Sequence, residues 1–420
     1  MREHRPPSTL CRAGVALLGA GLLTVAVACG GDDAEDTATT VAPGATPSTT
    51  TAPEVPWLAD AQAVLDASVG PDGLRFVDGP DEVPNPAQGA TLGIRLPDGT
   101  RQVLTTGTDI DGEPVDPAGT FTVSYLTRTV VEMLAWELEE AGEIDLAAPI
   151  AEWAPQVPGA EEITLQMIID RTAGLGDSND ALFSALLAEP DRAWDLAEAV
   201  DVVAAVPAAV PPGTFRWETQ EVGPGIIFGF VIEEATGRSL DELLEEYVTG
   251  PLGLESMVFG NPDTAASEGG TFILESEILR TDDPSSPVTP FLTIAKPSWS
   301  LQSDMSDLLE AFGALVDGSL PGPGQAPAPS SFPADRFVAE RDLGFGVDTP
   351  LVAYCPCTGE GQDRAYSSYG RTGVNAGTSI TAVTFPDTGI SLAVRFNASG
   401  TEGPDMRRVL YEIHDLINAA

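Results

Sequence analysis

The chain is nearly without lysine: Lys296 is the single lysine among its 420 residues, so arginine carries almost all of the positive charge. Twenty Lys and Arg stand against 64 Asp and Glu, which gives a formal net charge of −44. Such an acidic surface repels nucleic acid and offers no basic patch to a membrane. We therefore expect no nucleic-acid partner and interpret the acidity as a well-solvated surface.

The first 56 residues lack the periodic apolar pattern of a folded domain. Residues 1–12 are basic, residues 13–27 are apolar, and Ala28-Cys29-Gly30 follows. This order predicts a lipoprotein signal peptide over 1–28 with lipidation of Cys29. An uncleaved anchor is the alternative, although the apolar run is short for a bilayer span. Residues 29–56 are rich in Thr, Pro and Ala and predict a disordered tether, which would hold an extracytoplasmic domain of residues 57–420 on the membrane.

Histidine and cysteine are also scarce. His414 is the single histidine after the signal, so neither a Ser-His-Asp triad nor a zinc site with three or four ligands is expected. His414 itself is interpreted as a surface or packing residue of a C-terminal helix, and we expect no cofactor. Outside the cytoplasm, Cys355 and Cys357 would pair as a disulfide that stiffens a loop. A redox-active pair is the alternative.

The remaining sequence is 43% hydrophobic and predicts a large core with both strands and helices. Alternating and helical apolar spacing indicates the following elements: hairpins over 91–105 and 377–397, a helix over 125–141, mostly helical segments over 177–209 and 228–247, and a closing helix over 406–417. Ser239 follows a Thr-Gly-Arg break and predicts a helix N-cap.

Three separated segments have the order of an active-site frame. The first is Phe121-Thr-Val-Ser-Tyr125-Leu-Thr-Arg128, the second is Pro212-Gly-Thr-Phe-Arg-Trp217-Glu-Thr219, and the third is Tyr369-Gly-Arg371-Thr372-Gly373. Together with a Leu-Asp-x-Pro-like segment near Pro149 and Thr172-Ala-Gly-Leu175, they resemble the serine β-lactamase/DD-peptidase family, in its class C-like and esterase-like branch. The resemblance covers about residues 57–420.

The resemblance implies an α/β (α+β) fold. An antiparallel sheet from both chain ends would be packed by terminal helices, with a mainly helical insert and a reactive groove where the insert meets the sheet. It also implies acyl transfer by a Ser nucleophile and a Lys three residues later, on one helix face. Backbone N–H groups of Tyr125 and Val374, beside Thr372 and Gly373, would form the oxyanion hole.

The side chains that transfer protons in this family are replaced here. Tyr125 stands at the Ser position and Arg128 at the Lys position, and an arginine stays protonated in proteins. Trp217 and Thr219 stand at the Tyr and Asn positions of the second motif, and Arg371 at the Lys or His position of the third. Arg171 lies in the segment where the family has a His-Thr-Ser-Gly-Leu turn. Ser124 neighbours the nucleophile position, but a rotation of about 100° per helical residue would turn it elsewhere.

Two interpretations of the groove follow. In the first, Arg128 and Arg371 converge with the Tyr125 and Val374 amides on an anion, such as the carboxylate of a peptidoglycan stem peptide. In the second, Glu218 or another acid neutralises the arginines, and Tyr125 and Trp217 fill the groove. We expect a lipid-anchored, catalytically inactive binding protein. The alternative is a divergent esterase, DD-peptidase or β-lactamase that uses Tyr125 as a tyrosinate, or Ser124.

Overall fold

Strands from both ends of the chain and helices from its middle form a mixed α/β fold. The computed structural model describes residues 55–71, 73–78, 83–189, 191–214, 222–260, 266–274, 277–282, 288–317, 351–355, 364–375, 377–385, 387–399 and 406–420. They belong to one unit, Val55–Ala420. Within these ranges, no helix has the length and apolarity that a bilayer crossing requires.

The elements have the following bounds. The strands are β1 (Arg75–Asp78), β2 (Val83–Pro86), β3 (Gly89–Arg95), β4 (Arg101–Gly107), β5 (Phe121–Thr122), β6 (Val258–Phe259), β7 (Thr271–Leu274), β8 (Glu277–Arg280), β9 (Leu301–Ser303), β10 (Leu351–Cys355), β11 (Arg364–Asn375), β12 (Thr378–Phe385) and β13 (Ile390–Phe396). The helices are α1 (Leu58–Asp66), α2 (Leu126–Glu140), α3 (Leu165–Ile169), α4 (Asn179–Ala188), α5 (Leu196–Ala204), α6 (Val222–Thr236), α7 (Leu240–Leu244), α8 (Gly250–Leu252), α9 (Val288–Ile294), α10 (Lys296–Trp299), α11 (Met305–Asp317) and α12 (Met406–Ala419).

The main sheet has six strands in the order β10-β11-β12-β13-β3-β4, and every neighbouring pair is antiparallel. The hairpin predicted over 91–105 is formed by β3 and β4, which are joined by a Pro-Asp-Gly turn where Leu96 N–H donates to Thr100 O at 2.8 Å. The ends of the chain meet where β13 pairs with β3, with Leu392 opposite Ile94. The predicted antiparallel sheet from both chain ends is confirmed.

One face of this sheet is covered by the terminal helices α1 and α12, as predicted. Leu65 of α1 and Leu410 of α12 are buried with Leu92 and Val394 of the sheet. Burial of each such side chain contributes about 1.5–3 kcal/mol. His414 belongs to this layer: its ring stacks on Phe385 with centroids 3.9 Å apart, so it is a packing residue.

The other face is covered by α11 and by α2, whose buried positions Leu126, Val130, Leu134 and Leu138 match the predicted apolar spacing. A mainly helical insert of residues 150–299 packs around α2, also as predicted.

Candidate functional site

The first motif forms a strand, a tight turn and a helix. β5 pairs with β9, and Val123 N–H beyond it donates to Leu301 O at 2.8 Å, which fixes the chain just before α2. Ser124 then turns with φ of 54°, the left-handed region that non-glycine residues seldom adopt. Tyr125 is the N-cap residue of α2. This turn places the residue at the family's nucleophile position at the N-terminus of a buried helix.

Ser124 is not placed as the sequence suggested. It precedes α2, so the rotation of about 100° between helical residues does not describe its direction. Its side chain has no solvent exposure, and among the described residues its Oγ has no hydrogen-bond partner. Thr127 lies three residues after Ser124, at the spacing that the family uses between nucleophile and base. Its hydroxyl group accepts a hydrogen bond from Leu301 N–H at 3.1 Å. Ser124 is therefore an enclosed hydroxyl.

Arg128 has internal partners on its own helix and on the helical insert. Its Nε donates to Glu132 Oε1 at 2.8 Å, and its Nη2 donates to Ile168 O at 2.7 Å. The exposed fractions of the two side chains are 1% for Arg128 and 2% for Glu132. Thus Glu132, one turn along the helix, neutralises the charge at the family's Lys position. The sequence analysis expects Glu218 or another acid to neutralise both arginines, and Glu132 does so for Arg128.

The third motif lies on β11, directly against the beginning of α2. A Cβ added to Gly373 would stand 2.9 Å from both Ser124 Cβ and Tyr125 N, so only glycine permits this close approach. Arg371 is fully buried and donates to Thr129 Oγ1 at 3.4 Å. Thr372, partly buried, shares a 2.9 Å hydrogen bond with Thr381. The predicted meeting of the first and third motifs is therefore present.

The anion-binding interpretation required the two arginines to face a ligand. Both guanidinium groups are instead enclosed, Arg128 at 1% and Arg371 at 0% exposure. This part of the expectation needs correction, because α2 and β11 pack so closely that their cations lie inside the protein. Val374 follows on the same strand and is partly buried.

Several predicted residues lie outside the described ranges. Trp217, Glu218 and Thr219 follow the described Pro212–Thr214 turn, which is held by Gly213 N–H donating to Thr172 O at 2.7 Å. Cys29 and Cys357 are also outside, and of Cys355 only the backbone at the end of β10 is described. Arg171 is buried just after α3 with a left-handed φ of 60°.

Comparison with known proteins identifies the family of the chain. The family model described as "Beta-lactamase" matches residues 87–415, which is most of the chain. The chain belongs to the β-lactamase family. Among curated proteins, esterase EstB of Burkholderia gladioli is 26% identical over 161 residues, which cover 35% of this chain and 40% of the esterase.

Several solved structures of similar fold align with this chain over nearly the whole of their own length. The D-stereospecific amidohydrolase from Streptomyces sp. has a TM-score of 0.63 at 21% identity and covers 84% of this chain and 97% of its own. The penicillin-binding protein from Bacillus halodurans has a TM-score of 0.59 at 16% identity, over 78% and 96%. The D-amino acid amidase from Ochrobactrum anthropi SV3, in its complex with L-phenylalanine, has a TM-score of 0.61 at 17% identity, over 86% and 97%. At these identities the likeness establishes the fold.

An aromatic cluster extends from Tyr125, the residue that the sequence analysis predicts at the nucleophile position. The Tyr125 ring meets Trp299 edge-on with centroids 5.8 Å apart, and Trp299 lies 5.2 Å from Phe291. Phe183 contacts both Phe291 and Trp299 and is 38% exposed. The sequence analysis did not predict this cluster, because its members come from four separate segments.

A cavity of about 240 Å³ lies beside this cluster. Trp299 and Phe291 form its apolar wall, and the carboxylates of Asp109, Asp111, Glu268 and Asp282 lie around the rest. Sequence reasoning missed this cavity too, since no periodic pattern links loop residues that are more than a hundred positions apart.

Glu268 is the most enclosed of these four acids, at 8% exposure. Its Oε2 lies 3.8 Å from Nη1 of Arg395, a fully buried residue of β13. Burial raises the pKa of the Glu268 carboxyl above its usual range, against the opposing effect of the Arg395 charge. Burial also lowers the pKa of Arg395, to about 10. This buried pair is a second charged centre, separate from the Arg128–Glu132 pair.

Proposed function

We propose that this member of the β-lactamase family is catalytically inactive and serves as a binding protein of the cell envelope. The observation that supports this most strongly is the buried Arg128–Glu132 ion pair. It occupies the place where the family's catalytic Lys would have to release and accept a proton. A guanidinium group remains protonated in proteins and cannot take that role.

The surroundings of the two hydroxyl groups support the same proposal. An acyl donor has no access to Ser124, whose side chain is fully buried under Gly373. Tyr125 places a phenol ring, in contact with Trp299, where the family has a small serine side chain. A ring of this size takes up room that an acyl group needs, so the site favours non-covalent binding.

We also propose that the protein is secreted and lipid-anchored through Cys29. The support is the basic, apolar and Ala-Cys-Gly order at the start of the chain. A Cys29→Ala variant is expected to leave the membrane fraction of cells. Its continued recovery with membranes would contradict the lipid anchor.

The second candidate function is hydrolysis with an atypical nucleophile. It is favoured by Tyr125, a half-buried residue at the predicted nucleophile position, and by the relatives' names, which include an esterase, an amidohydrolase and an amidase. A tyrosine can form covalent intermediates when a base activates it.

Intact mass measurement separates the two candidates. The purified full chain would be incubated with a β-lactam, with a reactive thioester and with a fluorophosphonate. An inactive protein keeps its mass while circular dichroism shows that it is folded. A stoichiometric adduct that maps to Tyr125, and that a Tyr125→Phe variant with the same ring does not form, would establish the hydrolase instead. An adduct on Ser124 would do so as well.

A further inference from the structure

The cavity beside Trp299 has the chemistry of a site for a positively charged organic group. Its wall combines four carboxylates with two aromatic rings, and none of its described lining residues is a lysine, arginine or histidine. Aromatic faces and carboxylates both attract ammonium groups. The two kinds of side chain therefore favour the same class of ligand.

The negative charge at the cavity is only partly compensated. Arg280 donates to Asp111 and to Asp282, each at 2.6 Å, so those two acids share one cation at the rim. Asp109 uses its Oδ1 to accept backbone N–H groups of Asp111 and Glu113, which holds its loop but adds no positive charge. Among the residues that the structure describes, four carboxylates line the cavity, against the two guanidinium groups of Arg280 and Arg395 that contact them.

Two side chains of the wall each have a polar atom that the protein encloses without a hydrogen-bond partner in the described ranges. Glu268 Oε2 has no hydrogen-bond donor among the described residues, and its nearest cation, Arg395 Nη1, is 3.8 Å away. Trp299, at 3% exposure, has an indole N–H without an acceptor in the same part of the chain. Both atoms have almost no accessible area, so a ligand in the cavity contacts other atoms of Glu268 and Trp299.

Glu268 is also held firmly in position. A Cβ added to Gly119 would stand 2.3 Å from Glu268 Cγ, so the glycine makes room for the acid's stem. Asp116 N–H donates to Glu268 Oε1 at 3.4 Å from the same loop. A carboxylate fixed before its ligand arrives loses little conformational entropy on binding.

A metal ion fits this arrangement poorly. Among the described residues, no three His, Cys, Asp or Glu side chains come close enough to hold one. The cavity is also smaller than the roughly 300–1,000 Å³ pockets that hold drug-sized ligands. A ligand with one ring or a comparable apolar group and a short amine chain matches its size.

We propose that this cavity binds the protonated amine of a small organic ligand, with Glu268 and the rim carboxylates facing the ammonium group and Phe291 and Trp299 contacting its apolar part. The inference deepens the proposed binding function, on which it rests, by naming the class of ligand. It replaces the carboxylate expected from Arg128 and Arg371, whose guanidinium groups are enclosed elsewhere in the protein.

Isothermal titration of the full chain with three probes of similar shape tests the proposal. They are 2-phenylethylamine, neutral 2-phenylethanol and anionic 3-phenylpropionate. The amine is expected to bind about tenfold more tightly than either of the others. Equal binding of the alcohol would reduce the site to an apolar pocket, and preferred binding of the carboxylate would restore the anion interpretation. Either result overturns the proposal.

Matched variants locate the binding. Glu268→Gln keeps the size of the side chain and should weaken amine binding by about fivefold or more, by the loss of one charge. Glu255→Gln makes the same change at the separate depression near Phe259 and should leave binding unchanged. If Glu268→Gln fails to fold because Arg395 loses its counter-charge, Asp282→Asn on the exposed rim takes its place as the test variant and should weaken amine binding. Equal effects of cavity and control variants would overturn the proposal.

The outcome is independent of the mass measurement. If the chain is not acylated and does not bind the amine, the proposal of an inactive binding protein stands and the proposal of an amine ligand is rejected. An acylated chain that binds the amine would discard the inactive protein and leave the cavity as a site for the substrate's amine.

Discussion

At the scale of single residues, the buried ion pair of Arg128 and Glu132 is the feature whose loss should most affect stability. Both side chains are nearly inaccessible to solvent, and their nitrogen and oxygen atoms are 2.8 Å apart. Desolvation of two charges is expensive and is offset only while both partners are present. The pair therefore makes α2 sensitive to the loss of either residue, although it adds little stability beyond that of an apolar replacement.

We expect Glu132→Ala to lower the free energy of unfolding by about 3–5 kcal/mol, because it removes the buried carboxylate that Arg128 Nε contacts at 2.8 Å. Urea denaturation of the two proteins measures the difference. The double variant Arg128→Met/Glu132→Leu should cost about 1–3 kcal/mol, mainly because Ile168 O loses its donor.

The control for this prediction is Glu412→Ala. Arg408 and Glu412 have the same i,i+4 spacing and a 3.0 Å contact, but Arg408 is 66% exposed. An exposed helical pair contributes about 0.3–0.5 kcal/mol. If Glu132→Ala and Glu412→Ala cost the same, the Arg128–Glu132 pair is hydrated in solution.

At the scale of elements, the sequence predicted correctly those helices, turns and caps that depend on one short segment. The helical spacing of Leu126, Val130, Leu134 and Leu138 predicted α2, and alternating apolar residues predicted the β3–β4 hairpin. Ser239 was predicted to cap a helix, and it begins α7 with a complete capping box shared with Glu242. Each of these features depends on residues a few positions apart.

Sequence reasoning was weaker where distant segments meet. The order of motifs placed α2 beside β11, yet it could not indicate how closely Gly373 would approach Tyr125 or that both arginines would be enclosed. The partner of Arg128 was within reach of sequence reasoning, because Glu132 lies at the i+4 position of the same helix. The cavity was not within reach, since Glu268 and Trp299 meet only in the folded chain.

Ser239 provides a prediction at this scale. Its Oγ accepts from Glu242 N–H at 3.3 Å, and its own N–H donates to Glu242 Oε2 at 3.2 Å. Ser239→Ala should lower the free energy of unfolding by about 1 kcal/mol, measured by urea denaturation. Ser178, at the N-cap of α4, makes no capping bond and its Oγ has no partner among the described residues. Ser178→Ala should therefore be neutral or slightly stabilising, and a larger loss there than at Ser239 would contradict the capping argument.

At the scale of the whole molecule, the charge of −44 opposes folding through repulsion among acidic groups. Some of this charge is compensated locally, because exposed arginines contact acids, as Arg192 contacts Glu189 and Glu198 at 2.7 Å. Exposed pairs of this kind contribute at most about 1 kcal/mol each. The chain has too few cations for such pairs to balance the excess of acids.

Salt should therefore stabilise this protein. An increase of the NaCl concentration from about 10 to about 150 mM shortens the Debye length from about 30 to about 8 Å, which screens the long-range repulsion more than the close ion pairs. We expect the melting temperature to rise by several degrees, since about 1 kcal/mol corresponds to about 2–4 °C for domains of 150–250 residues. Calorimetry in NaCl and in KCl should give the same increase, because screening depends on ionic strength. A constant or falling melting temperature would contradict this prediction. It would mean that salt weakens attractive ion pairs, such as those of Arg192, by more than it weakens the repulsion among acidic groups.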